Sequence, residues 1–344
     1  MTAAGRIDAA TTAAATTDAG TTAAAATDAG TTDERALRDR AYSPSLTVPD
    51  LRTCLRAYAD GSARARADLA WQEIPYGAGP DRILHFFPAV SAFPAAAPGP
   101  EPAAPLQIFI HGGYWQELSA ADSSFAAPDF VSRGAAFAAL GYGLAPANRL
   151  DEIVAMVREA VLWLFRNVAK LGVDPRRIFV SGSSAGAHLA AMCLVDGWLP
   201  APLHPTDVIR GACLLSGIYD LEPLRHTYVG EQIRLTAAEA ARNSPFHRLR
   251  GTGAVPSLII ARGDNETSAF AAQHRQFVSA LTGSGIAPVD LVVPGRNHFD
   301  LPETLGDPDE PLGRAVLAQM GLPQRAAASA HGSPRPRQDD ADRP

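Results

Sequence analysis

From residue 106 onward, apolar positions along the chain fall into two alternating patterns. Short, mainly apolar runs at 106–110, 134–142, 178–181, 212–216, 257–261 and 289–293 have the length of buried strands. Amphipathic stretches lie between them. The clearest, 150–171, sets Ile153, Val154, Val157, Val161, Leu164, Phe165 and Val168 at i, i+3/i+4 spacing on one helical face, and Val173-Asp174-Pro175 breaks it. Residues 125–133, 269–281 and 314–320 predict further helices. Ahead of this block, 35–68 reads as helical pieces covering one end of the domain, 71–77 as an outer strand and 82–87 as a second strand. Buried strands alternating with helices predict an α/β fold with a mostly parallel central sheet and helices on both faces. Reactive groups in such sheets collect at the carboxyl ends of the strands.

Both ends of the chain lack these patterns. Residues 11–20 (TTAAATTDAG) and 21–30 (TTAAAATDAG) are near-copies of one decapeptide. Alanine, threonine, glycine and aspartate without large apolar residues cannot bury enough surface to offset the entropy of ordering, so 1–34 is expected to be a disordered arm. The polar, proline-rich stretch 325–344 is expected to be a disordered tail, which leaves 35–324 as one domain. Residues 89–105 (AVSAFPAAAPGPEPAAP) carry too much proline for a helix or central strand and predict a loop.

Charge and cysteine usage narrow the function classes. A net charge of −6 with no dense basic run argues against a nucleic-acid partner. Cys54, Cys193 and Cys213 lie far apart with no CxxC or Cys/His spacing, so neither a disulfide framework nor a zinc site is indicated. No HExxH or clustered His/Asp pattern appears, and no metal or cofactor is expected. The N-terminus shows no basic-then-apolar signal pattern, and no apolar run approaches the ~20 residues of a membrane span. A soluble cytoplasmic protein acting on a small molecule is the expectation, without a membrane partner and with a homodimer left open.

The chemistry centres on Gly182-Ser183-Ser184-Ala185-Gly186, a G-x-S-x-G sequence between a buried strand and a small-residue helix. That context marks a nucleophile elbow, a sharp turn that strains the central serine and lifts its hydroxyl above the sheet edge. A serine hydroxyl is a weak nucleophile at neutral pH and needs a histidine base oriented by a carboxylate. His188 sits one turn beyond Ser184 and reads as a packed helix residue, while His204, His226, His247, His274 and His331 fall in connections, mid-helix or the tail. His298 alone follows a buried strand and opens a loop, so it is the expected base. Where the serine comes first along the chain, then the acid, then the histidine, the acid belongs on the loop after 257–261, where Asp264 follows the turn glycine directly. Asp264 is the favoured acid, with Glu266 the alternative and Asp300 a weaker competitor inside the histidine's own loop.

His111-Gly112-Gly113-Tyr114-Trp115 closes another predicted strand. Glycines there let backbone N–H groups approach a reacting oxygen, so the amides of Gly112, Gly113 and Ala185 are the expected oxyanion hole. His111 is expected to orient this loop by hydrogen bonding rather than to transfer protons.

With these residues in place, the chain resembles the serine-dependent kynurenine formamidases of the α/β-hydrolase superfamily, in the hormone-sensitive-lipase-like group. The resemblance runs from Ala41-Tyr42-Ser43-Pro44 to the helix after His298 and rests on H-G-G-Y-W at 111–115, G-S-S-A-G-A-H at 182–188 and S-G-I-Y-D-L at 216–221. S-P-F-H at 244–247 and N-H-F-D at 297–300 support it. The acid loop, D-N-E-T-S-A-F, departs from the compact Asp-to-Phe spacing of the family. The resemblance implies hydrolysis of N-formyl-L-kynurenine through a formyl-serine, with Tyr114 and Trp115 walling the acyl side or simply packing their loop. The substrate's carboxylate calls for a cation or backbone donors. A short-chain carboxylesterase with the same triad is the nearest rival, and a catalytically dead binding module is a second.

Overall fold

The computed structural model describes residues 24–90, 103–249 and 254–324. Residues 1–23 of the expected arm, the larger part of the Ala/Pro loop and the tail from 325 lie outside the described residues. A helix spans Ala24–Ala41, so the arm boundary expected at residue 34 falls inside it. Farther along this helix, Arg35 pairs with Glu231 at 2.7 Å and Asp39 Oδ1 accepts the Tyr228 N–H at 2.8 Å.

Eight strands form one sheet: β1 (Gln72–Pro75), β2 (Ile83–Phe87), β3 (Ala104–Ile110), β4 (Ala136–Leu140), β5 (Val173–Ser183), β6 (Gly211–Leu215), β7 (Ser257–Asn265) and β8 (Val289–Asn297). Their spatial order is β1-β2-β4-β3-β5-β6-β7-β8. The pairs β1–β2 and β2–β4 are antiparallel and the other five are parallel, so six consecutive strands aim their carboxyl ends at one edge. Two strands outrun their apolar cores. The apolar run at 257–261 continues to Asn265 in β7, and that at 289–293 continues to Asn297 in β8. This extension moves the start of the acid loop by several residues.

Period-two alternation feeds two separate cores. Leu106, Ile108 and Ile110 of β3 pack on one face with Val157 and Val161 of helix Leu150–Asn167, with helix Ala185–Cys193, and with Phe270 and Phe277 of helix Ser268–Gly283. Phe109 of β3 and Phe137 of β4 face the other way, onto Phe130 and onto Leu312, Val316 and Met320 of helix Pro311–Met320. The sheet is therefore covered on both faces, as its continuous apolar strands require.

Ahead of the sheet, helix Leu51–Asp68 starts from Asp50, whose carboxylate accepts the Arg52 N–H at 3.0 Å. Leu51, Leu55 and Tyr58 recur at i, i+4 and i+7 on one face, and Ser62 and Ala65 continue that face into the protein. Ser62 Oγ accepts the Ser124 N–H at 2.9 Å, which fixes the helix over the carboxyl edge of the sheet.

Candidate active site

Ser184 is the point where β5 turns into helix Ala185–Cys193, and its backbone lies at φ 57° and ψ −118°. A non-glycine residue there is strained, and the surrounding structure must impose the conformation. Close packing imposes it. A Cβ on Gly182 would lie 2.3 Å from the Gly186 carbonyl oxygen, and one on Gly186 would lie 2.0 Å from that of Ile110. Both flanking positions are therefore closed to any side chain. Ser184 N–H donates to the Leu215 carbonyl at the end of β6, 2.8 Å away, which pins the turn to the neighbouring strand.

His298 follows β8 and is 4% exposed. Its Nδ1 faces Glu266 Oε2 at 3.3 Å, and the Phe270 ring meets its imidazole edge-on at a centroid distance of 4.5 Å. The Glu266 side chain has no solvent exposure. Its Oε1 accepts the Ser216 hydroxyl at 2.5 Å and the Gly263 N–H at 2.9 Å. Burial pushes the carboxyl pKa up, but His298, then Ser216 and the Gly263 amide, outweigh it and hold the group below its ordinary value.

Asp264, the carboxylate favoured from the sequence, does not face His298. It still belongs to β7, is exposed, and its Oδ1 accepts the Gly295 N–H of β8 at 2.9 Å. The strand runs past residue 261, so the turn that brings a carboxylate under the histidine comes at Glu266 instead. Gly263 makes the approach possible, since a Cβ there would lie 2.1 Å from the Arg296 carbonyl oxygen of β8. Asp300 is also directed elsewhere: it accepts the Asn297 N–H and side-chain amide, both at 2.7 Å.

The glycine loop lies against the elbow. A Cβ on Gly112 would stand 2.9 Å from the Ser183 carbonyl oxygen and 3.2 Å from Ser184 Cβ, and Gly113 has φ 85°. Among the described residues, neither the Gly112 nor the Gly113 N–H donates to a protein acceptor, and Ala185 N–H belongs to the first turn of its helix, where no intrahelical acceptor exists. His111 sits beneath, its Nδ1 at 3.1 Å from the Gly112 carbonyl and its ring stacked on Tyr142 at 4.1 Å. Tyr142 donates its hydroxyl to the His111 carbonyl at 2.9 Å. Burial lowers the His111 pKa to about 4, so the ring is neutral and supports the loop. His188 is fully buried, with Nε2 at 2.6 Å from the Asn243 carbonyl oxygen, a packed residue as its position in the elbow helix predicts.

Ser184 and His298 line one cavity of about 310 Å³. Gly112, Gly113 and Tyr114 border it, and Leu51, Leu55, Tyr58, Phe125, Tyr228, Phe299 and Pro302 form much of its apolar wall. Tyr58 stacks on Phe125 at 5.0 Å. The polar wall groups include Ser45, Gln116, Glu117, Ser123 and Gln232, and no lysine or arginine lines the cavity among the described residues. Tyr114 donates its hydroxyl to the Tyr42 carbonyl at 2.5 Å. Trp115, its expected companion in the wall, is instead completely buried in the core, with its ring edge-on to His188 at 5.1 Å. Its backbone has a φ of 61°.

Several residues here escaped the sequence reading. Ser216 was legible only as part of S-G-I-Y-D-L, although its place directly after a buried strand was a usable signal. The wall residues of helix Leu51–Asp68 were signalled by their i, i+4, i+7 spacing. No group of three or more His, Cys, Asp or Glu that could hold a metal ion occurs among the described residues, and no described helix is long and apolar enough to cross a membrane.

Comparison with known proteins places the chain among α/β-hydrolases. The family model BD-FAE matches residues 95–197. The kynurenine formamidase of Danio rerio is 33% identical over 81% of this chain and 92% of its own. An esterase of Mycobacterium tuberculosis is 28% identical over 68% of this chain and 58% of its own. Among solved structures, a Silicibacter protein provisionally assigned as a thioesterase superposes with a TM-score of 0.67 at 26% identity, covering 81% of this chain and 98% of that one. With an elbow serine on an α/β-hydrolase sheet and a formamidase relative 33% identical over 92% of its own length, the chain is a serine hydrolase and belongs to the kynurenine formamidase family.

Proposed function

We propose that this protein hydrolyses N-formyl-L-kynurenine to L-kynurenine and formate, with Ser184 as nucleophile, His298 as general base and Glu266 as the carboxylate that orients it. What supports this most is the arrangement in the cavity: a strained serine and a histidine face the same apolar space, and the histidine is backed by a buried, ionised glutamate. Ser184 Oγ attacks the formyl carbon while His298 takes its proton. The resulting oxyanion is held by the amides of Gly112, Gly113 and Ala185, each such donor supplying ~3–4 kcal/mol to the transition state. His298 then gives the proton to the departing aryl amine, and the C–N bond breaks. Water enters, loses a proton to His298 and attacks the formyl-serine; His298 returns the proton to Ser184 as formate leaves. Glu266 remains ionised throughout and stabilises the imidazolium.

The cavity suits such a substrate. Its apolar wall, with the stacked Tyr58 and Phe125, offers surface to an aryl ring. Without a lysine or arginine in the described wall, the amino-acid carboxylate is left to backbone and neutral side-chain donors such as Gln116 and Gln232. The three cysteines are free, which suits a reducing cytosol as the protein's compartment.

A second reading, a short-chain carboxylesterase, is favoured by the esterase relative, because the same machinery cleaves acyl esters. Measuring kcat/KM on N-formyl-L-kynurenine beside p-nitrophenyl acetate and butyrate, with Ser184→Ala as control, separates the two. A strong preference for the formyl anilide that disappears in the variant is expected. Rapid Ser184-dependent ester turnover with negligible release of kynurenine would instead establish the esterase.

A further inference from the structure

Ser216 is the first residue after β6, and it has a backbone φ of 49°. Glycine enters that region without steric cost, whereas serine is strained in it. The side chain does one thing: its hydroxyl donates to Glu266 Oε1 at 2.5 Å. The backbone around it is tied on both sides. Ser216 N–H donates to the Ala261 carbonyl of β7 at 2.8 Å, and the preceding carbonyl, that of Leu215, accepts the Ser184 N–H at 2.8 Å. The end of β6 thus stands between the nucleophile's turn and the acid's loop, bonded to both.

The consequence for Glu266 is orientation. A terminal carboxylate torsion is broad and roughly two-fold, so a glutamate held at one oxygen can swing. Here Oε1 is occupied by Ser216 and the Gly263 amide, which leaves Oε2 to face His298 Nδ1. With no solvent around the side chain, these donors also keep the buried group charged.

We propose that Ser216 is a positioning residue, kept in a strained backbone conformation because its hydroxyl sets the orientation of Glu266 beneath His298. The proposal rests on the roles given above to Glu266 and His298, and extends them to a residue that touches neither substrate nor the reacting atoms.

The test compares Ser216→Gly and Ser216→Ala with the wild type on p-nitrophenyl acetate and N-formyl-L-kynurenine, across the acid limb of the pH profile. Ser216→Gly relieves the backbone, so its Tm should stay close to the wild-type value and show the fold to be intact. Its kcat should nevertheless fall roughly ten- to a hundred-fold, the range a hydrogen bond to a charged group supplies, with KM unchanged. The acid limb should move to higher pH, because the ionised carboxylate has lost a donor. Ser216→Ala should share both kinetic effects. Wild-type kcat and an unmoved acid limb in Ser216→Gly would overturn the proposal, as would a defect confined to Ser216→Ala, which would trace to the backbone alone. Should the wild type cleave only the ester, the formamidase reading falls while the ester still reports on Ser216.

Discussion

Ser184, Glu266 and His298 stand on the ends of β5, β7 and β8, in loops where backbone crowds backbone. Gly182, Gly186 and Gly263 each face a carbonyl oxygen within 2.3 Å of where a Cβ would go, and the Glu266 side chain has no solvent exposure. The cavity wall opposite is built otherwise. Leu51, Leu55 and Tyr58 come from one face of a helix far upstream, Phe125 from the segment after β3, and Tyr228 from the excursion after β6. These residues meet through side chains, several of them half-exposed, and adjust more readily than strand ends do. The contrast separates two tasks. In the proposed mechanism the strand ends would fix the geometry of bond cleavage and the wall would select the acyl donor, so substitutions in the two regions should fail differently.

The largest effect is expected from Ser184→Ala, which removes the nucleophile and should lower kcat/KM by about 10⁴-fold or more on every substrate while leaving the fold intact. Next, Glu266→Gln should lower kcat by about 10³- to 10⁴-fold, as for other buried triad acids, while Asp264→Asn stays within a few-fold of wild type. A reversed pair of results would restore Asp264 as the acid.

Acid sensitivity tests how dry the strand-end region is. Burial lowers the pKa of both His111 and His188 to about 4, against 6.5 for a free imidazole. Between these values the unfolded chain binds more protons than the folded one, so stability is complete above about pH 6.5 and falls as the pH drops towards 4. The loss is on the order of 3 kcal/mol for each ring. Urea midpoints measured over this range should decline, and a flat profile would show that the two rings are solvated.

The smallest change belongs to the wall. Leu55→Ala removes apolar contact with the substrate and should raise KM for N-formyl-L-kynurenine about tenfold with little effect on kcat. An equal loss of kcat would mean that the wall shapes the reaction centre as well.

The same division governs how much could be read from the chain. Strand cores, the elbow and His298 were legible because apolar runs and glycine spacing are local signals. The sequence points to Asp264 rather than to the carboxylate that faces His298 for a physical reason. β7 extends beyond its apolar run into Arg262-Gly263-Asp264-Asn265, held by pairing with β8, and polar residues in a strand look like a loop in sequence. Trp115 likewise follows a recognisable glycine turn, but it is buried against His188, a partner 73 positions away. The wall was the least legible region, since Leu55, Phe125 and Tyr228 share no motif and meet only in the folded chain.

The most direct test of the separation is the ratio of kcat/KM for N-formyl-L-kynurenine to that for p-nitrophenyl acetate, measured in Glu266→Gln and Leu55→Ala. The separation requires that Glu266→Gln depress both reactions and leave the ratio near the wild-type value, while Leu55→Ala lowers the ratio and spares the small ester. A ratio that changes in Glu266→Gln but not in Leu55→Ala would contradict it.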